Sequence, residues 1–365
     1  MKTFTTGQMM RFWMLYLISA PFAFMIRSLL EKADYQGWLS LASAYAISLG
    51  MIYFAVRVGE GQSESWLIYG ERIVGKWLHR LFVAGIVYYI TFLNALNVQN
   101  FSDFFGTVYL TDTPGWVVML LFFFCTAVVA RSGLTAIMYM ADGFFLLVFA
   151  AIFAVIPLML NKLNYPAAYG LLTHFDFSKW WKSTFYSTSW FAEMTLVLLI
   201  LHRFRTNGRS FRSMALAGLV AFLSILVYWL MCLLLFGPKL GSHLRYPLMD
   251  MLRFVQMGEI LENLDPVLIS VWSTTLLIKT AGLLYIATQS LAYLLGQKDA
   301  RPLTFVLAAL MLGFALRLSY APAEMIQVQG TSALRVFFIS ICCIPLLYFI
   351  LRQSASLFKR TNKKA

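Results

Sequence analysis

The sequence predicts an all-α polytopic membrane protein of ten transmembrane helices, set out as two groups of five with broken helices 1 and 6. Three observations predict it. The chain of 365 residues is 60% hydrophobic and only 12% charged, and a soluble core of that size cannot hide so much apolar surface. Its apolar stretches have the ~20-residue length that a helix needs to cross a bilayer. Its basic residues gather in alternate loops, the asymmetry that orients membrane proteins. The whole chain, residues 1–365, reads as a single transmembrane domain.

The spans are expected at about 8–30, 37–57, 79–101, 115–131, 137–160, 182–202, 213–236, 264–295, 302–319 and 331–351. Span 1 continues to Arg27 and lacks a short apolar core followed by small residues for cleavage, so it reads as a retained helix rather than a signal peptide. Near its middle stands Ser19-Ala20-Pro21. Proline removes a backbone donor and crowds the preceding turn, which predicts a break there, or a kink in a packing helix. Span 2 is plain, and after it VGEGQSESWLIYGERIVGKWLHR, with Trp66 and Trp77, suits an amphipathic helix lying on the membrane face.

In span 3, Tyr89, Leu93 and Asn97 follow at steps of four and share one helical face. Asn94 and Asn97 suit hydrogen bonding between helices. Span 4 follows the turn TDTPGW and ends at Arg131, and Asp142 near the end of span 5 is expected to meet Arg131 or water. Span 6 opens with Ser183, Thr184, Ser187, Thr188 and Ser189, followed by Trp190 and Glu193 on one face; it is the second candidate for a broken helix. Glu193 is a carboxylate deep in apolar chain, so it must be protonated, hydrated or paired.

The stretch from His243 begins with a charged amphipathic segment carrying Arg245, Tyr246, Pro247, Asp250, Arg253, Glu259, Glu262 and Asp265. Beyond it, residues 266–296 hold a single charge, Lys279, in mid-span. An ammonium there costs ~3 kcal/mol on insertion scales unless it faces a partner or a cavity, which marks Lys279 as functional. Two groups of five spans, each opening on an interrupted helix, is the plan of inverted-repeat, transporter-like folds whose broken helices build a site at mid-membrane.

Arg57, Arg72, Lys76 and Arg80, Arg131, Arg203, Arg205, Arg209 and Arg212, Lys298 and Arg301, and the tail from Arg352 to Lys364 share one side with Lys2 and Arg11 if the span count is even. Both termini are therefore expected to be cytoplasmic. The net charge of +13 is explained by topology and by attraction to membrane lipid, not by nucleic acid. Cys125, Cys232, Cys342 and Cys343 lie inside spans and form no disulfide framework. His79, His174, His202 and His243 are scattered, no Cys/His spacing suits a metal, and no Gly-rich phosphate loop appears. No catalytic residue, metal or cofactor is expected.

The segment RYPLMDMLRFVQMGEILENLDPVLISVWS resembles the pattern that precedes span 8 in the B subunits of bacterial spore nutrient germinant receptors. TDTP before span 4, GERIVGKWLHR before span 3, Glu193, the basic loop RFRTNGRSFR and the Lys-rich tail agree in order. That family is similar to amino acid–polyamine–organocation transporters, and the resemblance implies a core in which spans 1, 3, 6 and 8 surround a small nutrient such as an amino acid. It implies a ligand site at Ser19, Ala20, Pro21, Tyr89, Leu93, Trp190, Glu193 and Lys279, with Glu193 and Lys279 facing one cavity, either as a structural bridge or as the two contacts for a zwitterion. It also implies partner A and C subunits and residence in the inner spore membrane. Two residues depart from the family's pattern. The break in span 1 is commonly Gly-rich and here has no glycine, and Lys279 stands where a neutral polar residue is expected, which implies a ligand unlike that of alanine-responsive relatives. A nutrient sensor, a proton-coupled amino acid permease and a ligand-opened channel all stay open.

Overall fold

The computed structural model describes residues 3–205, 208–253, 265–320 and 332–361. Among the described residues the secondary structure is helical apart from one parallel bridge between Phe4 and Phe204. The long helices are α1 (Thr6–Ala33), α2 (Gly37–Gly59), α3 (Lys76–Val108), α4 (Gly115–Arg131) and α5 (Leu134–Met159). They continue as α6 (Phe177–Phe191), α7 (Ser210–His243), α8 (Asp265–Leu295), α9 (Arg301–Tyr320), α10 (Ser332–Cys342) and α11 (Ile344–Thr361). Eight described helical segments are long and apolar enough to cross a membrane; the first, Thr6–Gly59, runs through α1 and α2, and α4 is a shorter apolar helix. The chain is thus a polytopic membrane protein.

Helix α1 starts at a capping box, in which the Thr5 hydroxyl accepts the Gln8 N–H at 3.2 Å and Gln8 Oε1 accepts the Thr5 N–H at 3.1 Å. Every residue from Phe12 to Phe22 is buried, as a helix apolar on all sides must be. It packs along α7 and also touches α5, α6 and α8, while α8 packs on α3, α4, α5 and α9. Two glycines allow close crossings. A Cβ on Gly37 would lie 2.4 Å from the Trp229 ring of α7, and one on Gly282 of α8 would lie 2.8 Å from Phe12 of α1. The α6 span is buried along most of its length, whereas α5 and α9 turn most of their surface outward, so the centre of the bundle is built from α6, α8, α3 and the buried middle of α1.

Several expectations need correction. The first span is not broken at Pro21: α1 is helical from Thr6 to Ala33 with the proline inside it. Pro21 removes one hydrogen bond, and the dense packing on both sides of that turn keeps the remaining bonds formed. The sixth span is interrupted, because α6 passes into a 3-10 stretch, Ala192–Leu196, before a last turn, Val197–Ile200. Hydroxyls there bond back to the chain, Thr188 to the Thr184 carbonyl, Ser189 to that of Tyr186 and Thr195 to that of Ala192, at 2.7–2.8 Å, which competes with regular α-helical bonding.

Asp142 does not meet Arg131. It accepts from Arg11 Nε at 2.6 Å and Gln8 Nε2 at 2.7 Å, since α5 lies against the start of α1, and Arg131 instead covers the Phe305 ring at 5.2 Å. The amphipathic segment after α2 forms two single turns, Trp66–Tyr69 and Glu71–Val74, ended by Gly75 at φ 85°. Trp66 is buried edge-on against His79 and Tyr348, while Trp77 is 85% exposed. Of the charged amphipathic segment that begins at His243, Pro247–Arg253 is helical, with Leu248, Met249, Met251 and Leu252 buried. Glu259 and Glu262 lie outside the described residues, as do Lys2, Lys363 and Lys364.

Candidate functional site

Three elements deliver polar groups to one buried point in the bundle. The 3-10 stretch presents Glu193, mid-α8 presents Lys279, and α1 presents Tyr16, all 2% exposed or less. Lys279 Nζ lies 2.9 Å from Glu193 Oε2. The Tyr16 hydroxyl donates to the same oxygen at 2.7 Å. The ammonium also sits 4.7 Å from the Tyr16 ring centre and 5.7 Å from that of Trp190, so two π faces share its charge. In a medium without water an unpaired carboxylate or ammonium would be prohibitive, and here each is the other's counter-ion.

The surroundings hold α8 in place at this level. Asn94 of α3 donates to the Thr280 carbonyl at 3.1 Å, and Thr126 of α4 lies 3.2 Å from the Thr280 hydroxyl, which is the interhelical role expected of Asn94. Asn97 is also buried, and its Nδ2 has no partner among the described residues. Of the residues the resemblance implied, the structure brings Glu193, Lys279 and Trp190 together. Tyr89 of α3 is edge-on to Phe338 at 5.0 Å, and its hydroxyl accepts from the Cys342 thiol at 3.9 Å; Leu93 is buried one turn further along α3.

Ser19 is buried but donates to the Tyr16 carbonyl of its own helix at 2.7 Å. Ala20 packs in a cluster with Phe101, Phe104 and Trp272, against which Trp190 also lies, and Pro21 is buried within α1. Sequence reading missed Tyr16. It stands three residues before Ser19 on the same helical face, and a phenol in the middle of an apolar span needs a hydrogen-bond partner.

A cavity of about 410 Å³ lies elsewhere, at the end of the bundle where the chain starts, between the last turns of the α6 span and of α8. None of the eight residues implied by the resemblance lines it.

A buried charge pair thus joins the interrupted sixth span to α8, and comparison with known proteins supplies the lineage. The model of the spore germination protein family (Spore_permease) matches residues 3–321. The chain belongs to this family. This germination protein is 22% identical over 283 residues to the putative spore germination protein YfkT of Bacillus subtilis (strain 168), a match covering 75% of each chain. It is 29% identical over 119 residues to the spore germination protein YndE of the same organism, 32% of each chain. The family match takes in α1 to α9, and so every residue of the Glu193–Lys279–Tyr16 cluster.

Proposed function

We propose that this germination protein is the membrane-embedded subunit of a nutrient germinant receptor, and that it binds a small zwitterionic nutrient of the amino acid class. The observation that carries the reading is the Glu193–Lys279 bridge, 2.9 Å long and buried, at the junction of α1, α6 and α8. A zwitterion is the one simple ligand that can replace each partner in kind. Its carboxylate takes Lys279, its ammonium takes Glu193, and the Trp190 ring covers the inserted molecule. The exchange gives the ligand different affinities for bridged and opened states, which any sensor requires.

Ten spans with both termini in the cytoplasm, a five-plus-five inverted repeat, one domain over the whole chain, residence in the inner spore membrane and assembly with A and C subunits belong to the same proposal. The turn at Asp34–Gln36 inside the long first segment and the extra apolar helix α4 support the span count. In a background without native cysteines, a cysteine at Asn164 should be labelled from outside only. One at Asn207, which lies outside the described residues, should be labelled from the cytoplasm only. Reversed labelling would overturn the orientation.

The functional test is a dose response. Trp190→Ala should raise the nutrient concentration for half-maximal germination by about ten-fold, equivalent to ~1.4 kcal/mol, while protein abundance stays normal; Leu93→Ala, at a residue packed in the core away from the charge pair, serves as the comparison. A collapse in abundance of Trp190→Ala with unchanged sensitivity of the surviving protein would make Trp190 a packing element. Strong accumulative uptake of a labelled amino acid by the purified chain in proteoliposomes would replace the sensor reading by a permease.

A further inference from the structure

The 410 Å³ cavity at the end of the bundle has a mixed lining. Its apolar residues include Leu67, Leu199 and Ile286, and its polar residues include His202, Arg203, Gln289, Gln297 and Lys298. No carboxylate is among the residues that line it. Glu71 lies near the rim but is engaged by the Tyr293 hydroxyl. Arg203 and Lys298 form no ion pair among the described residues. Buried atoms of the polar lining also lack partners: Arg203 Nε and His202 Nδ1 are shielded from solvent and make no hydrogen bond among the described residues.

A guanidinium N–H withdrawn from water without an acceptor is costly, so an acceptor entering the cavity beside Arg203 would relieve that cost. The volume lies in the ~300–1,000 Å³ range of small-molecule sites. Its two cations exceed what a single carboxylate neutralises and suit the ~−1.5 to −2 charge of a phosphate monoester. The planar fork of Arg203 matches phosphate oxygens.

We infer that this cavity binds a phosphate group, gripped by Arg203 and Lys298, with the organic remainder of the ligand against Leu67, Leu199 and Ile286. The site is separate from the nutrient site and does not rest on it. Two sources carry this chemistry: the headgroup of an anionic phospholipid, which the position at the span ends permits, and a soluble phosphate compound.

The test uses the full-length chain purified in an uncharged detergent and follows its thermal midpoint, which rises when a ligand binds the folded state. One arm titrates inorganic phosphate, and the other transfers the protein into nanodiscs of phosphatidylcholine with increasing phosphatidylglycerol. Wild type is compared with Arg203→Gln and Lys298→Glu. Lys298 is exposed, so its variant tests the site without threatening the fold. A saturable rise with either probe, weakened at least ten-fold in both variants, is the expected result. Response to phosphate identifies a soluble ligand, and response to phosphatidylglycerol alone identifies a lipid. If neither probe saturates, or if Lys298→Glu titrates like wild type, the inference fails, because general salt stabilisation would persist in the variant.

Discussion

Glu193→Gln or Lys279→Met alone should each remove most of the folded protein from the membrane, whereas the two together should restore it. The bridge is 2.9 Å long and its side chains are 2–3% exposed, so deleting one charge strands the other, a loss of ~3–5 kcal/mol for buried pairs. That is comparable with the whole ~5–15 kcal/mol stability of a typical domain. Lys279→Met should be the milder change, because the remaining carboxylate keeps the Tyr16 hydroxyl at 2.7 Å. The double variant removes both costs together. Abundance measured by quantitative blotting checks this part. Germination of the double variant then tests the functional reading: if it responds to its nutrient with unaltered sensitivity, the pair is a structural bridge and zwitterion recognition by these residues is wrong.

Gly37→Ala should be nearly as damaging, although it adds a single methyl group to a plain lipid-length helix. That methyl carbon would lie 2.4 Å from two carbons of the Trp229 ring, and Trp229 is fully buried, so neither side has room to yield. Overpacking of a dense core costs ~1–3 kcal/mol and sometimes more; with a rigid indole on the far side, about 3 kcal/mol is expected. Thermal unfolding in detergent should show the loss. Adding Trp229→Leu should then cost less than the sum of the two single changes by ~0.5–3 kcal/mol, the coupling of residues in contact. Strict additivity would mean that α2 and α7 do not meet at this crossing.

What could be read in advance was whatever a membrane makes conspicuous. Lys279 and Glu193 stood out because each is a charge in an apolar run, and the cost of that is independent of tertiary structure. Their pairing was implied only by family resemblance, since no spacing rule connects residues that lie on different helices. Tyr16 escaped notice because a tyrosine costs an apolar span little, and its partner is 177 residues away. Asp142 was expected to meet Arg131, nearby in sequence, or water, whereas the fold lays α5 along the start of α1 and pairs it with Arg11. Pro21 shows the reverse error. Local chemistry favoured a break, and burial of the roughly three turns from Phe12 to Phe22 outweighed one lost hydrogen bond. The interruption of span 6 was legible because its Ser/Thr cluster declares a competing set of backbone bonds in the sequence itself.

The five residues Ala192–Leu196 also act as a screw thread within the span. A 3-10 stretch advances ~2.0 Å and turns ~120° per residue, against ~1.5 Å and ~100° in an α-helix. Over five residues the span is therefore about 2.5 Å longer, and everything after it is rotated by about 100°, compared with an unbroken helix. His202 and Arg203 lie past that thread, and Glu193 lies on it. The azimuth at which the basic side chains enter their cavity is thus geared to the pitch of the segment that holds the carboxylate. The Phe4 N–H, bonded to the Arg203 carbonyl at 2.9 Å, ties the start of the chain to the same shaft.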